Sequence, residues 1–448
     1  MTQTVTLPVW LFVLMVLFAA VTFASHFLFP SVRWFFRRRM ERAVARLNTR
    51  LERPIQPFKL LRRHDMIQRL VYDPTVTAAI VAHAKEQGVP EDVAFQHAKA
   101  YAREIVPAFS AFAYFGFAIR AARWLGQSLY RVRIGHFDEP ALRAVERDAT
   151  VVFVMNHRSN MDYVLVTFLA AERSALSYAV GEWAQVWPLS RLIKAMGAYF
   201  IRRKSRNALY RAVLARYVQM ATAGGVAQAI FPEGGLSLTG APAQPKLGLL
   251  KYITDGADLS QRDVVFVPVA LNYDRVLEDG ILVKADLSGE RRFEARISRV
   301  ARATLRQMWL RITGRFHRFG YAAVSFGAPL SLRSRPDLAA EPETLALDLM
   351  GRISRIVPVL PVPLVSYVLL QRGTTKTDEL EALVAAALEQ LEDAHVHMPR
   401  SDVAYAAKVG LRALTERGMV TEEEEFLRVS PQARDLVQFY ARSIAHLF

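Results

Sequence analysis

Residues 150–162 read TVVFVMNHRSNMD: an unbroken apolar run, Thr150 to Met155, passes directly into Asn156, His157, Arg158, Ser159, Asn160, Met161 and Asp162. A short run with no polar alternation is the pattern of a strand buried on both faces, as in a parallel sheet covered by helices. The same texture recurs as VAQAIF at 226–231, VVFVPVAL at 264–271 and AAVSFG at 322–327. Helix-length amphipathic stretches separate the four runs. The fold class is therefore α/β over residues 131–335, a mostly parallel sheet flanked by helices.

Both flanks of this domain have helical periodicity. Residues 31–130 form a basic helical region, with turn signals at Asp73-Pro74 and at Gly88-Val89-Pro90. Residues 336–448 form a helical C-terminal domain, with the Pro-rich stretch VPVLPVPL at 357–364 as a join within it. Residues 1–30 are different again. Positions 7–29, LPVWLFVLMVLFAAVTFASHFLF, offer only His26 as an ionisable group. That length suits one helix crossing, or inserted into, a hydrocarbon layer about 30 Å thick. No Lys or Arg precedes it, and Arg33, Arg37, Arg38, Arg39 and Arg42 follow. The charge asymmetry argues against a cleaved signal peptide and puts the remaining chain on the cytoplasmic side of the inner membrane.

The formal net charge of +16 asks for an anionic partner. Basic residues beside an apolar anchor point to a phospholipid membrane. The stretch at 114–133, where large apolar groups alternate with Arg120, Arg123, Arg131 and Arg133, either lies on the headgroup layer or packs on the catalytic domain. A regulatory, nucleic-acid-binding membrane protein is the reading from a different class. Its support is the helix–hairpin–helix pattern near the C-terminus, but Glu422 to Glu425 put negative charge where a DNA-contacting wing needs positive charge, so no nucleic acid is expected. The absence of cysteine excludes disulfides and thiolate chemistry. No metal site is expected: His395 and His397, the nearest approach to ligand spacing, would point apart on a helix.

Four short elements carry chemistry. His157 and Asp162 are separated by four residues. If a helix begins near Ser159, a carboxylate on its first turn reaches back to the imidazole, fixes its tautomer and leaves the other nitrogen as a general base. A bound substrate hydroxyl then takes the place of a serine nucleophile. In Gly197-Ala198-Tyr199-Phe200-Ile201-Arg202-Arg203, a glycine and an apolar edge lead to two guanidinium groups suited to phosphate. In Phe231-Pro232-Glu233-Gly234-Gly235, two glycines permit a tight turn and Glu233 can meet an arginine or a substrate hydroxyl. In Val267-Pro268-Val269, a proline inside an apolar run marks a bulge or an edge strand.

In this order the four elements resemble the blocks of the glycerolipid acyltransferase superfamily. HRSNMDY, GAYFIRR, FPEGG followed by Gln244-Pro245-Lys246, SFGAP at 325–329 and the terminal FYARSIAHLF resemble the bacterial membrane-bound glycerol-3-phosphate acyltransferases. The likeness spans roughly residues 70–448, as in a short version without a long N-terminal extension. It implies transfer of a fatty acyl group from acyl-CoA or acyl carrier protein, as co-substrate and with no cofactor, to the sn-1 hydroxyl of glycerol-3-phosphate. It implies that His157 is the base, that Asp162 orients it, and that Arg202, Glu233 and Gly234 bind the acceptor. Arg158, Ser159, Gly197, Arg203, Gly235 and Lys246 complete the candidate site. One departure stands out: relatives commonly follow FPEGG with Arg-Ser-Arg, whereas this chain has Leu236-Ser237-Leu238. Lys246, Arg203 or Arg158 compensates, or the acceptor is a lysophosphatidate, another lysolipid or another alcohol.

Overall fold

The run at 150–155 is the second of eight strands in one mixed sheet: β1 (Arg131–Phe137), β2 (Thr150–Met155), β3 (Ser177–Gly181), β4 (Tyr199–Ile201), β5 (Gln228–Ile230), β6 (Val264–Tyr273), β7 (Tyr321–Phe326) and β8 (Leu330–Ser331). The order is β1-β7-β6-β2-β5-β3-β4, with β8 against β6. The pairs β1–β7, β6–β2, β2–β5, β5–β3 and β3–β4 are parallel; β6–β7 and β6–β8 are antiparallel. Each of the four apolar runs read from sequence contains a strand. β2, β5, β6 and β7 are buried along their whole length, as expected of strands covered on both faces.

The computed structural model describes residues 8–169, 175–181, 185, 189–202, 205, 207–289, 319–391, 396 and 402–448; the side chains of residues 23–37, 40 and 189 lie outside that description, as do Arg203, His395 and His397. The chain divides into two compact units, Met1–Ile55 and Gln56–Phe448. In the first, one helix runs Val9–Asn48, and large apolar side chains such as Trp10, Phe12 and Phe18 are exposed. The expected anchor at 7–29 lies partly outside the described residues. Among those that are described, no helix is long and apolar enough to cross a membrane.

In the second unit, the turn signals read from sequence fall at helix ends. Asp73 caps Pro74–Gln87 by accepting the Thr75 N–H at 3.0 Å, and Gly88, with φ +63°, closes the same helix in the left-handed region. The helix Ile119–Leu129 buries Ala122, Gly126 and Leu129 and leaves Trp124 exposed. Gly126 is closely opposed to Leu165, so this stretch does pack on the catalytic domain while keeping an open face. The tail forms a helix (Val403–Thr415), a hairpin of β10 (Val420–Glu423) and β11 (Phe426–Val429), and a helix (Arg434–Ala441). β9 (Thr375–Lys376) adds to this hairpin as a third strand.

Pro268 requires a correction. It sits in neither an edge strand nor a bulge: β6 is central, and its register with β2 runs unbroken from Thr150↔Val264 to Met155↔Val269. The carbonyl of Pro268 accepts the Gly327 N–H at 2.8 Å, so its missing N–H faces the same side. On that side β6 changes partner, from β8 at Val265–Phe266 to β7 from Val269 onward. The proline therefore removes no ladder bond.

Candidate active site

Parallel strands bring their C-terminal ends to one edge of the sheet, which is where ligands of open α/β sheets bind. β2 ends there at Met155. Asn156 prolongs the ladder with its side chain: its Nδ2 donates to the Leu271 carbonyl at 3.0 Å, and its Oδ1 accepts the Leu271 N–H at 2.8 Å. The main chain is thus free to turn away at His157. The helix that follows is Met161–Leu169, which places Asp162 in its first turn as the sequence anticipated. Asp162 Oδ2 lies 2.9 Å from His157 Nδ1, with both side chains fully buried. The same oxygen accepts the N–H groups of Arg158 at 2.7 Å and Ser159 at 3.0 Å. These two donors hold the carboxylate at a helix N-terminus, where negative charge is favoured. A carboxylate accepting from Nδ1–H selects the tautomer whose Nε2 carries the lone pair.

β5 neighbours β2, so the turn after β5 borders the histidine. Phe231 stacks on the His157 ring at 4.0 Å, and Glu233 Oε1 accepts the His157 N–H at 3.3 Å. Gly234 adopts φ +66°, and a Cβ built there would stand 2.8 Å from Lys246 Cδ. Lys246 also donates its N–H to the Pro232 carbonyl at 2.8 Å. Glu233, Gly234, Gly235 and Lys246 are therefore gathered beside His157. Burial pushes the Glu233 carboxyl up to about 8. Its Oε2 has no hydrogen-bond partner among the described residues. Leu236 and Leu238 pack against the hydrophobic core, while Ser237 donates its N–H to the His157 carbonyl at 2.9 Å.

Arg158 and Ser159 turn inward. The Arg158 guanidinium donates to the Gly240 carbonyl and lies 5.0 Å from the Phe439 ring of the C-terminal region. Ser159 Oγ donates to Glu278 Oε2 at 2.8 Å, and Asn160 Nδ2 donates to Glu278 Oε1 at 3.0 Å. Both residues brace the loop that carries the histidine.

The second motif is placed differently. β4 is the outer strand, three positions from β2 and so roughly 14 Å away at strand spacing. Gly197, with φ +87°, precedes β4 and sits at the opposite edge of the sheet, against Phe109 and Lys59. Arg202 follows β4 at the catalytic edge. Its Nε and Nη2 meet the Glu104 carboxylate at 2.9 and 2.6 Å, and its guanidinium lies 5.4 Å from the rings of Tyr101 and Tyr210. Arg203 lies outside the described residues.

Sequence reasoning missed Tyr273, whose hydroxyl donates to Asp162 Oδ1 at 2.5 Å, as well as Glu278 and Glu104. For Tyr273 and Glu278 the local signal was polar residues at and after the end of an apolar strand; Glu104 lies within the helix Glu91–Ile105 and gave none. Among the described residues, no group of three or more His, Asp or Glu is arranged to hold a metal ion.

A buried His–Asp pair at the C-terminal edge of a mostly parallel sheet suits base catalysis on a hydroxyl. Residues 139–272, which include β2 to β5 and most of β6, match the acyltransferase family model. Residues 308–448 match the model of the glycerol-3-phosphate acyltransferase C-terminal region. The chain is 28% identical to the glycerol-3-phosphate acyltransferase of Xanthomonas campestris pv. campestris, over 92% of this chain and 48% of that protein. It is 30% identical to that of Shewanella loihica, over 80% and 45%, and 28% identical to that of Shewanella amazonensis, over 90% and 53%. It spans about half the length of these curated relatives. A structural likeness with TM-score 0.32 and 17% identity, over 53% of this chain and 77% of that one, is to the 1-acyl-sn-glycerophosphate acyltransferase of Thermotoga maritima.

Proposed function

We propose that this chain transfers a fatty acyl group from an acyl thioester, on coenzyme A or acyl carrier protein, to the sn-1 hydroxyl of glycerol-3-phosphate. The observation that carries the proposal is the buried His157–Asp162 pair at 2.9 Å, bordered by the Glu233 turn. His157 Nε2 takes the proton of the acceptor hydroxyl as its oxygen attacks the thioester carbonyl. The tetrahedral intermediate collapses with cleavage of the C–S bond, and the imidazolium returns the proton to the departing thiolate. Asp162 stabilises the imidazolium in between. Lys246, lying along the Gly234 turn, meets the acceptor phosphate, and Arg202 serves it from the outer strand by sharing its charge with Glu104.

The leucines at 236 and 238 favour a second reading. They add apolar surface beside the turn where cations would attract phosphate, which suits an acceptor with its own acyl chain, a lysophosphatidate. One assay decides: the purified chain with acyl-CoA or acyl carrier protein as donor against both acceptors. Acyl transfer to glycerol-3-phosphate supports the first reading, transfer to lysophosphatidate alone supports the second, and transfer to neither sinks both.

The proposed reaction turns a water-soluble acceptor into a lipid product, which suits an enzyme at the cytoplasmic face of the inner membrane. Phe117, Arg120 and Trp124 are exposed with i, i+3, i+7 spacing and form an aromatic–basic face suited to an anionic lipid surface.

A further inference from the structure

β6 outruns β2. Its last residue, Tyr273, lies four positions beyond Val269, the partner of the last β2 residue, and so runs alongside the loop from His157 to Asp162. The Tyr273 hydroxyl donates to Asp162 Oδ1 at 2.5 Å, while His157 Nδ1 and the N–H groups of Arg158 and Ser159 all converge on Oδ2. Bonds to one oxygen fix that oxygen and leave the other able to pivot about it; a donor on the second oxygen stops that motion. The tyrosine is itself fixed: it is fully buried and its ring packs on Tyr130, with centroids 5.4 Å apart.

We infer that Tyr273 is a positioning residue of the acyl-transfer site, holding the plane of the Asp162 carboxylate and drawing off part of the charge that it presents to His157. The inference rests on the reading of His157 and Asp162 as a general-base pair. A buried tyrosine needs a partner for its hydroxyl in any case, so a packing role has to be separated from this one. The separation lies in the pH profile. Tyr273 donates to the carboxylate, so removing that donor leaves more negative charge facing the imidazolium. His157 then holds its proton to higher pH, and the acid limb of kcat/KM moves upward. Among the described residues, the other ionisable groups facing this pair include Tyr163 against the His157 ring, Glu278 and Tyr130 around Tyr273, and Arg158, Glu233 and Tyr440 around the loop; none is altered by the substitution.

The experiment compares full-length wild-type protein with Tyr273→Phe, with His157→Ala as control. The expected result for Tyr273→Phe is a kcat lower by about threefold to tenfold, an acceptor KM within about twofold of wild type, and an acid limb higher by about half a unit to one unit. Replacement of Tyr273 by 3-fluorotyrosine, a stronger donor of the same shape, moves the limb the other way and serves if Tyr273→Phe does not fold. In a double-mutant cycle, Tyr273→Phe no longer moves the acid limb once Asp162→Asn has removed the carboxylate charge. An inactive His157→Ala together with an unmoved acid limb in both Tyr273 variants overturns the role of Tyr273 and leaves the general-base reading standing. Near-normal turnover by folded His157→Ala overturns both.

Discussion

Replacing Asp162 by asparagine tests how the His–Asp pair operates, because the structure dictates which way the amide must face. Asp162 Oδ2 accepts two main-chain N–H groups besides His157 Nδ1. If the amide NH2 took that place it would meet two buried donors head-on, at a cost of about 1–3 kcal/mol for each unmade bond. The amide oxygen therefore stays on the His157 side, and the NH2 turns toward Tyr273, whose hydroxyl can rotate to accept. His157 keeps its tautomer and loses only the negative charge beside its imidazolium. Hydrogen bonds to charged groups contribute about 1.5–3 kcal/mol and neutral ones about 0.5–1.5 kcal/mol, so the loss is about 1–2 kcal/mol. Burial of the pair places the result at the upper end, a kcat lower by about tenfold to thirtyfold. The assay is release of free coenzyme A from acyl-CoA in the presence of glycerol-3-phosphate, alongside nitrogen NMR of the His157 ring to read the tautomer. A loss of about 10⁴-fold with a switched tautomer, the magnitude known for a His–Asp pair in the wrong tautomer, would refute the argument from the two N–H donors. Unchanged turnover would refute any role for the charge.

Lys246→Met is expected to raise the acceptor KM by about tenfold with donor KM unchanged, and Arg202→Ala to raise it less, because Glu104 already neutralises that guanidinium; the reverse order, measured by initial rates, would assign the phosphate to the outer strand. Glu233→Gln is expected to flatten the pH dependence of stability. Burial holds Glu233 at about 8 and Asp274 at about 7, well above unfolded carboxylates, so both contribute stability that is present at low pH and lost as pH rises toward 8. Each accounts for a slope of order 1 kcal/mol per pH unit at most, and thermal midpoints between pH 5 and 8 that fall as steeply in the variant as in wild type would contradict the assignment. Paired Phe117→Ser and Trp124→Ser substitutions should weaken co-sedimentation of the full chain with phosphatidylglycerol vesicles by about tenfold without changing its unfolding midpoint. Equal binding would mean that this face does not meet lipid.

The sequence by itself determined the features made by neighbours in the chain. Doubly covered strands show as nearly continuous apolar runs because almost no residue of such a strand meets water, and this located β2, β5, β6 and β7. His157 and Asp162 were legible because a strand end, a short loop and a first helical turn bring residues five apart together without help from elsewhere. Tertiary structure decided the rest. Strand order placed the Glu233 turn beside His157 and sent Arg202 three strands away, and no local pattern records which strands become neighbours. It brought Tyr273 to Asp162 across 111 residues, Glu278 to Ser159 across 119 and Glu104 to Arg202 across 98. It made Pro268 acceptable in a central strand by changing that strand's partner beside it. In each case the deciding quantity is a contact between residues far apart in the chain, set by how the elements pack, while periodicity and motif spacing report only what neighbouring residues can do for one another.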